Sequence, residues 1–420
     1  MEKLILQGGS KLTGEVTVSG SKNAALPILA ATLLTDAPCV INNVPRLRDT
    51  LTMTALLESL GKHVLFEGNT VRISSSRPLK SIAHYDLVST MRGSFCVLGP
   101  LLAKLGRARV SLPGGCLIGV RPVDLHLKGL RALGAAFEID NGYVIAETNG
   151  LKGASIYLGG IFGSSVLATA NVMMAAVLSE GRTIIESAAC EPEIEDLGNF
   201  LNALGAQVSG HGTPRITVTG VRELGGAEFC VGPDRVEAGT FILLAGATHS
   251  NITVRGVNPN QLLVLFDHLE EYGMGFDIQD DTVALRCPER GKPVSVTTYP
   301  YPGFPTDLQA QFMALMAVTP GVCVITDKVF PDRFIHIAEL NRMGANIRRE
   351  GNIAIVEGVE VLHGAPVMAS DLRASAALVI AALSAEGSTE INRVYHLERG
   401  YENLDQKLSG LGVRVSRIDE

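Results

Sequence analysis

Residues 131–137 read Arg-Ala-Leu-Gly-Ala-Ala-Phe, the end of a helix-like pattern, a glycine and the start of a strand-like pattern. A glycine in this place supplies the left-handed conformation that ends a helix before a strand begins. The same phrase returns in five other places, and repetition at a fixed period indicates an architecture built from repeated units. Its glycines are Gly61, Gly134, Gly205, Gly273, Gly344 and Gly412, with spacings of 73, 71, 68, 71 and 68 residues.

Upstream of each glycine lies an apolar stretch that carries few charges around its circumference. This pattern predicts a helix buried on all sides and not an amphipathic surface helix. The stretches begin near residues 24, 95, 166, 238, 308 and 374. Each unit is therefore predicted to run strand, buried helix, strand, second helix, strand, strand.

Six such units predict small α/β modules grouped around shared helical cores, with three units in each of two domains. The sixth unit has no room for its final strands before Glu420, whereas residues 2–20 are strand-like. We therefore expect the N-terminal strands to complete the last unit. One domain would comprise residues 21–230, and the other residues 1–20 with 231–420, with two chain crossings between them.

The composition narrows the class of protein. The chain has 420 residues, a formal charge of −7, 5% aromatic residues and no Trp, which argues against nucleic-acid and anionic-membrane partners. Seven cysteines without a CxxC pair suit reduced thiols, and the absence of a signal-peptide pattern predicts a cytoplasmic protein. No P-loop, HExxH or strand-linked GxGxxG motif occurs, so we expect neither a metal nor a cofactor.

Charged or hydroxyl side chains recur where the helices are predicted to begin. For any single one, capping or solubility is an adequate explanation. A helix N-terminus with an added cation forms an anion site, and matched positions would bring such sites together in one cleft for a multiply anionic ligand. The residues are Lys22, Arg92, Ser165, Arg235, Asp307 and Arg373 before the buried helices, and Arg48, Arg121, Arg333 and Arg399 before the second helices.

Two further features suggest chemistry. Asp307 lies just before a buried helix, where its ordinary role would be an N-cap, although a carboxylate among cations could also act as a general base. Residues 113–124 form a glycine-rich stretch that carries Cys116 and Arg121. Its glycines would let it move as a lid, and the arginine would favour the thiolate. The alternative for this stretch is a plain turn beside a half-buried thiol.

Six segments together resemble the enolpyruvyl transferase family, in particular its UDP-N-acetylglucosamine 1-carboxyvinyltransferases, over essentially the full length. The resemblance implies a two-domain inside-out α/β barrel. It also implies transfer of the enolpyruvyl group of phosphoenolpyruvate to the 3′-hydroxyl of UDP-N-acetylglucosamine, with release of phosphate, as the first committed step of peptidoglycan synthesis. The segments span residues 19–27, 113–135, 191–206, 304–312, 369–378 and 395–408.

The resemblance further implies the substrate contacts. Lys22 would bind phosphoenolpyruvate and Asn23 the sugar. The other phosphate ligands would be Arg121 and Arg399, and the carboxylate or closure contacts would be Arg92, Arg333 and Arg373. The uridine end would be held by Arg121, Pro122, Val123, Asp124 and Leu125, with Val329 as an apolar wall.

The same resemblance implies the catalytic groups. Asp307 matches the base toward the 3′-hydroxyl, and Asp371 matches a further essential acid. Cys116 matches a lid cysteine that delivers a proton to C3 of phosphoenolpyruvate, and its thiolate character predicts alkylation by fosfomycin. Lys22 completes the predicted catalytic set. Both substrates are small molecules, and a single copy of the chain would suffice for the site.

Residues 159–169 depart from the family pattern, which usually has a lysine followed by Ser-Val-Gly-Ala-Thr. Ser165 and Val166 align with that Ser-Val pair, but the lysine is missing, so hydroxyls and helix N–H groups would have to contact the diphosphate. Ser164 and Ser165 are also similar to the paired serines of 5-enolpyruvylshikimate-3-phosphate synthases. Two alternatives thus stay open: shikimate 3-phosphate as the acceptor, and a catalytically silent scaffold that binds UDP-sugars.

Overall fold

The computed structural model describes residues 2–114 and 123–418. Contacts within the chain divide these residues into two compact units. We name residues 20–114 with 123–232 the central unit, and residues 2–19 with 233–418 the terminal unit. Each unit has its own apolar core.

The helices are numbered in chain order through the described residues. Those of the central unit are α1 (Lys22–Ala31), α2 (Arg48–Ser59), α3 (Tyr85–Val88), α4 (Leu98–Leu105), α5 (Asp124–Ala132), α6 (Val166–Val177) and α7 (Pro192–Ala203). Those of the terminal unit are α8 (Arg235–Ala247), α9 (Leu263–Tyr272), α10 (Gln309–Ala317), α11 (His336–Arg342), α12 (Leu372–Ser384) and α13 (Leu404–Gly410). Short 3₁₀ turns cover Thr32–Leu34, Arg92–Val97, Pro259–Gln261, Thr306–Leu308 and Val394–Arg399.

The strands are numbered in the same way. The first half of the chain contains β1 (Lys3–Gln7), β2 (Glu15–Thr17), β3 (Cys39–Asn42), β4 (Lys62–Glu67), β5 (Thr70–Ser75), β6 (Ile82–Ala83), β7 (Arg107–Ser111), β8 (Ala136–Asp140), β9 (Tyr143–Glu147), β10 (Ser155–Tyr157), β11 (Arg182–Glu186) and β12 (Gln207–Ser209). The second half contains β13 (Arg215–Thr219), β14 (Glu228–Cys230), β15 (Thr253–Arg255), β16 (Gly275–Gln279), β17 (Thr282–Arg286), β18 (Val296–Thr298), β19 (Gly321–Asp327), β20 (Asn346–Glu350), β21 (Ile353–Gly358), β22 (Pro366–Met368), β23 (Ser388–Asn392) and β24 (Val415–Ile418).

The described strands form six four-stranded sheets that share one design. In every sheet an edge strand runs parallel to its neighbour, and the other two pairs are antiparallel. The orders are β14-β3-β5-β4, β6-β7-β9-β8 and β10-β11-β13-β12 in the central unit, and β2-β15-β17-β16, β18-β19-β21-β20 and β22-β23-β1-β24 in the terminal unit. The fold is therefore mixed α/β, and none of the sheets formed by the described strands closes into a barrel.

The glycines that end the predicted units have the backbone that the sequence requires of them. Gly61, Gly134, Gly205, Gly273, Gly344 and Gly412 all have φ between 87° and 116°. They follow α2, α5, α7, α9, α11 and α13, and each lies one or two residues before a strand or the bend that leads into one. A side chain with a Cβ is disfavoured in this region, so the prediction of glycine helix ends is confirmed.

The apolar stretches form buried helices, as predicted. All residues of α12 from Arg373 to Leu383 are buried, and so are all residues of α6 from Ala168 to Val177. Burial of each large aliphatic side chain contributes about 1.5–3 kcal/mol, so these helices stabilise the two cores. The longest helices of the described residues, α8 and α12, have 13 residues. None of the described helices combines the length and apolar character needed to span a bilayer.

The N-terminal strands are divided between two sheets, which corrects the expectation that both complete the last unit. β1 lies between β23 and β24, with Leu4 opposite Ile391, and completes the sixth sheet. That sheet already contains β24, so only one strand position remains. β2 instead pairs in parallel with β15, with the buried Val16 opposite Val254. β14, which precedes α8 in the chain, pairs with β3 of the central unit.

Candidate active site

The six buried helices of the described residues begin in two ways. Four begin at an N-cap whose side chain accepts a hydrogen bond from a backbone N–H two or three residues later. These caps are Ser21 for α1, Ser165 for α6, Asp234 for α8 and Asp371 for α12. In contrast, α4 and α10 are preceded by the 3₁₀ turns Arg92–Val97 and Thr306–Leu308, whose N-cap residues provide no side-chain acceptor.

In the terminal unit, Asp307 lies between two buried arginines. Its Oδ1 is 2.7 Å from Nη1 of Arg333, and its Oδ2 is 3.0 Å from Nη2 of Arg373. The two guanidinium groups are almost fully buried, whereas the aspartate side chain keeps 27% of its surface exposed. Asp307 caps no helix, so the expected N-cap role is wrong. Pro305 occupies the N-cap position of the turn, and the carboxylate accepts bonds from side chains instead.

The Asp307–Arg333 pair is held by a buried polar layer behind it. Thr306 accepts a bond from Nη1 of Arg333 at 3.2 Å and donates its hydroxyl to Asp327 at 2.7 Å. The carboxylate of Asp327 is completely buried and also accepts the backbone N–H groups of Val329 and Phe330 at 3.0 and 2.7 Å. These bonds fix the turn that carries Val329, which is half-buried.

Behind Arg373 lies a second polar layer centred on Tyr401. The hydroxyl of Tyr401 is 3.4 Å from Nη1 of Arg373 and 2.9 Å from the hydroxyl of Thr240. Nε2 of Gln311 donates to this hydroxyl at 3.2 Å and to the backbone carbonyl of Asp307 at 2.9 Å. Burial raises the pKa of Tyr401, so its hydroxyl stays protonated. Although burial opposes the charge of Arg373, Asp307 and the neighbouring groups raise its pKa above the usual value.

Asp371 is the N-cap of α12, where its Oδ1 accepts the backbone N–H groups of Arg373 and Ala374 at 2.8 and 3.1 Å. The side chain of His336, at the start of α11, is buried near it. Burial lowers the pKa of His336 to about 4; the charge of Asp371 opposes this shift and that of Arg333 adds to it. The imidazole is therefore neutral at pH 7, and Asp371 remains a capping carboxylate beside it.

The remaining terminal-unit candidates lie at helix starts. Arg235 is the first residue of α8, and its guanidinium lies 5.5 Å from the ring centre of Tyr301. Arg399 ends the 3₁₀ turn before α13 and is partly buried. Both positions agree with the spacing that singled these residues out.

In the central unit, Lys22 is the first residue of α1 and is only 8% exposed. Its Nζ lies 3.4 Å from Oδ2 of Asp49, a buried carboxylate in the first turn of α2. Arg48 precedes that aspartate and is exposed, while Asn23 is partly buried beside Lys22. A lysine at a helix N-terminus with one buried counter-ion keeps its charge and remains suited to an anionic ligand.

Arg92 opens the 3₁₀ turn before α4, and Ser94 of the same turn donates its hydroxyl to the carbonyl of Val88 at 2.9 Å. Arg92 is close enough to influence two buried groups. Burial lowers the pKa of His126 to about 3, and the charge of Arg92 lowers it further. Burial raises the pKa of Cys96 to about 12, against the charge of Arg92. Cys96 is thus an inert core thiol.

The predicted uridine contacts are described only in part. Val123 is the N-cap residue of α5, Asp124 is its exposed first residue, and Leu125 is partly buried. Pro122, Arg121 and Cys116 lie outside the described residues, so the lid prediction is not tested.

The divergent stretch forms a tight turn before α6. Gly160 and Gly163 exchange backbone hydrogen bonds of 2.8 and 3.1 Å, which presents Ile161 and Phe162 to solvent. Ser165 follows as the N-cap of α6, where its hydroxyl accepts the N–H of Ala168 at 3.4 Å. Ser164 and Val166 flank it and are partly buried.

A surface depression in the central unit does not coincide with these residues. It is lined by Leu102, Gly106, Thr148, Lys152 and Glu180, among others. It lies at the C-terminal ends of α4 and α6, while the candidate residues are at the N-terminal ends of the same helices. Free backbone N–H groups occur only at the N-terminal ends, so we do not assign ligand binding to the depression. The described residues also contain no group of three or more potential metal ligands.

Sequence reasoning missed several residues of these clusters. Asp49 carries a detectable signal, a carboxylate in the first turn of a second helix directly after Arg48. Tyr401, Gln311, Thr306 and Asp327 carry none, because their contacts join elements far apart in the chain.

Comparison with known proteins gives consistent matches. The family model described as EPSP synthase (3-phosphoshikimate 1-carboxyvinyltransferase) matches residues 6–408. The chain is 51% identical over 418 residues to the UDP-N-acetylglucosamine 1-carboxyvinyltransferase of Methylacidiphilum infernorum (isolate V4), covering 100% of this chain and 99% of that protein. It is 51% identical over 423 residues to the protein of that name from Akkermansia muciniphila, with coverage of 100% and 99%. It is also 51% identical over 422 residues to UDP-N-acetylglucosamine 1-carboxyvinyltransferase 2 of Carboxydothermus hydrogenoformans, with full coverage of both.

Solved structures share the fold. The enolpyruvyl transferase NikO from Streptomyces tendae matches with a TM-score of 0.89 and 24% identity, covering 99% of this chain and 98% of that one. An EPSP synthase from Acinetobacter baumannii matches with a TM-score of 0.73 and 18% identity over the whole of both chains. At these identities the likeness concerns the fold alone.

Proposed function

The chain belongs to the enolpyruvyl transferase family, and on that premise we propose that it transfers the enolpyruvyl group of phosphoenolpyruvate to the 3′-hydroxyl of UDP-N-acetylglucosamine, releasing phosphate. The observation that carries this proposal is 51% identity over the whole chain to three relatives named UDP-N-acetylglucosamine 1-carboxyvinyltransferase. The reaction would be the first committed step of peptidoglycan synthesis, in the cytoplasm, and would serve cell-wall biogenesis and division.

The charges of the candidate residues suit these substrates. Phosphoenolpyruvate carries a phosphate and a carboxylate, and the sugar nucleotide carries a diphosphate, so cations must offset their repulsion. We assign the phosphate of phosphoenolpyruvate to Lys22, Arg121 and Arg399. Lys22 is supported by its place at the N-terminus of α1, and Arg399 by its place before α13.

Three further arginines complete the proposed contacts with phosphoenolpyruvate. We assign its carboxylate to Arg92, Arg333 and Arg373. The latter two are supported by their buried, fixed guanidinium groups beside Asp307.

Asp307 is proposed as the base that accepts the proton of the 3′-hydroxyl. Its carboxylate is held from one side by Arg333 and Arg373 and is partly exposed on the other, so a hydroxyl can approach it. The oxygen then bonds to C2 of phosphoenolpyruvate while C3 gains a proton. As phosphate leaves, C3 returns a proton and the double bond re-forms. Asp371 is proposed as a further acid of this sequence and Cys116 as the proton donor to C3.

For the sugar nucleotide, we propose that Asn23 contacts the sugar and that Arg121, Pro122, Val123, Asp124 and Leu125 hold the uridine end, with Val329 as an apolar wall. The diphosphate falls to Ser165 and Val166. The first-turn N–H groups of α6 support this assignment, because they point at an anion in front of the helix. We further propose that one copy of the chain suffices for the reaction and that no metal or cofactor takes part.

The sheet pattern supports a finer description of the fold. We propose that the six four-stranded sheets correspond to the six repeated units and that the central and terminal units are the two three-repeat domains. The described residues suggest boundaries after residues 19 and 232, close to the predicted boundaries after 20 and 230. The inside-out barrel of the family is the corresponding proposal for each domain.

The test is phosphate release from phosphoenolpyruvate by purified protein with UDP-N-acetylglucosamine, with shikimate 3-phosphate, or with neither. Release that requires UDP-N-acetylglucosamine and is abolished by fosfomycin supports the acceptor and the role of Cys116. Turnover with shikimate 3-phosphate alone would overturn the proposed acceptor. Binding of UDP-N-acetylglucosamine without release in any arm would favour a silent scaffold.

A further inference from the structure

In the central unit, α6 is approached closely by two neighbouring helices at one level. A Cβ on Gly99 of α4 would come within 2.3 Å of the backbone carbonyl oxygen of Asn171, on α6. A Cβ on Gly129 of α5 would come within 2.3 Å of the side chain of Val172, the next residue of α6. Both helices therefore need glycine to pack here, and the backbone around Asn171 is tightly constrained.

The side chain of Asn171 is inserted into the backbone hydrogen bonds of the turn that precedes α4. Its Oδ1 accepts the N–H of Gly99 at 2.7 Å, and its Nδ2 donates to the carbonyl of Phe95 at 3.0 Å. In a continuous α-helix these two backbone groups, four residues apart, would bond to each other. The carboxamide thus takes the place of one helical hydrogen bond, between the 3₁₀ turn Arg92–Val97 and α4.

The same carboxamide also fixes α5. Nδ2 of Asn171 lies 2.8 Å from Nδ1 of His126, whose ring packs edge-on against Phe95 at 5.1 Å. The N–H of Gly99 can only donate and the carbonyl of Phe95 can only accept, so the orientation of the amide is determined. Nδ1 of His126 is consequently an acceptor, and its proton lies on Nε2. This agrees with the lowered pKa of the buried imidazole.

Both elements that Asn171 holds lead directly to proposed substrate contacts. Arg92 begins the 3₁₀ turn, three residues before Phe95, and Val123–Leu125 begins α5, just before His126. We propose that Asn171 is a positioning residue that sets Arg92 for phosphoenolpyruvate and Val123–Leu125 for the sugar nucleotide. This inference rests on the proposed function, because it assumes those contacts.

The physical prediction concerns what happens when the amide is removed. Leucine has nearly the volume of asparagine plus one methyl group but no polar atoms, so Gly99 and Phe95 would be left to bond directly. That would continue α4 into the 3₁₀ turn and rotate Arg92 about the helix axis, while α5 loses the contact to His126. Displacement of about 1 Å at a binding group is enough for large kinetic effects.

The experiment compares the wild-type chain with Asn171→Leu and with the matched control Thr169→Val. Thr169 is on the same helix, is equally buried, and accepts one hydrogen bond, from the N–H of Ala189 at 3.0 Å. It contacts neither the turn at Arg92 nor α5 through its hydroxyl. Both variants lose buried polar bonds and should lower Tm. Only Asn171→Leu should raise KM for both substrates, by about tenfold, with Thr169→Val within about twofold of wild type.

The outcomes separate the two hypotheses. Wild-type protein without turnover of UDP-N-acetylglucosamine would overturn the proposed function. An active wild type with equal KM values in the two variants would overturn the positioning role alone. If Asn171→Leu does not fold, Asn171→Ser is used, since the space it leaves admits water and its hydroxyl still meets Gly99. An unchanged KM for both substrates in that variant would likewise overturn the inference.

Discussion

The starts of α12 and α10 use aspartate in opposite ways. At the start of α12, the N-cap Asp371 accepts two backbone N–H groups, and Arg373 follows two residues later. At the start of α10 the N-cap position is Pro305, which caps nothing, and Asp307 follows two residues later. The two residues at the second of these places, Asp307 and Arg373, then pair with each other at 3.0 Å.

The difference shows how a repeated structural position becomes available for chemistry. Where a side chain caps its own helix, its acceptor is used locally and contributes about 0.5–2 kcal/mol to stability. Where a proline and a 3₁₀ turn take the cap position, the next acidic side chain can turn toward neighbouring elements. The central unit repeats the contrast, with caps at Ser21 and Ser165 and an uncapped 3₁₀ turn at Arg92.

The largest expected effect breaks the uncapped start. Asp307→Asn should lower kcat by about 10²–10⁴-fold, because the amide cannot accept the hydroxyl proton. It should also destabilise the fold, since Arg333 and Arg373 lose their shared carboxylate. Phosphate release and Tm measure the two effects. The matched control is Asp332→Asn, which removes an exposed ion pair to Arg349 and should leave kcat unchanged. A kcat near that of wild type in Asp307→Asn would contradict the role of base.

The second prediction separates capping from chemistry at the start of α12. Asp371→Ser retains an N-cap acceptor, so the free energy of unfolding should stay within about 0.5 kcal/mol of wild type. If Asp371 also serves the reaction, kcat should fall by about 10–100-fold because the carboxylate is gone. Asp371→Ala, which removes both, should add a loss of about 1 kcal/mol. A fully active serine variant would limit Asp371 to capping.

A smaller effect is expected from the layer behind Arg373. Tyr401→Phe removes the hydroxyl shared by Thr240, Gln311 and Arg373, so kcat/KM should fall by about 3–10-fold and stability by about 1–2 kcal/mol. The control is Tyr272→Phe in the same unit, where an equally buried hydroxyl contacts the carbonyl of Gly246. Its activity should not change. Equal activities in the two variants would show that the Tyr401 hydroxyl only stabilises the fold.

The smallest effect is on stability alone and concerns His336 beside the capped start. Burial lowers its pKa to about 4, below the ordinary value of about 6.5 for an unfolded chain. The unfolded state therefore binds the proton first, and stability is lost as the pH falls from about 6.5 toward 4, by up to about 1.4 kcal/mol per pH unit.

Urea midpoints between pH 8 and 4.5 measure this loss. The variant His336→Gln should show a shallower decline with acid than wild type, while the two curves run parallel above pH 7.5. Parallel curves over the whole range would contradict a buried neutral imidazole.

The fold was accessible from sequence to the extent that it repeats. The period of the glycines and the apolar stretches predicted the six buried helices and their ends, because each depends on residues within one turn of helix. The exchange of β2 and β14 was not predictable. Val16 and Phe229 fit an edge strand in either place, and only the packing of distant elements selects the partner.

The candidate site shows the same boundary. Spacing located Lys22, Arg92, Asp307 and Arg373 at helix starts, since that position is a local property. It gave Asp307 a cap that Pro305 already precludes. The network at Tyr401 and the wedge at Asn171 join residues 28 to 161 and 45 to 76 positions apart, so no local pattern reports them.

The pairing of β1 with β23 governs the order in which the protein can be made. Leu4 leaves the ribosome 387 residues ahead of Ile391, its partner in the sheet, a delay of about 20–80 s at ordinary elongation rates. Residues 20–232 emerge as one block and hold all three of their sheets, so the central unit can fold during synthesis. Until then, the first nineteen residues are a tethered strand that waits, and fast-folding chains or shielding by chaperones must protect its open edge.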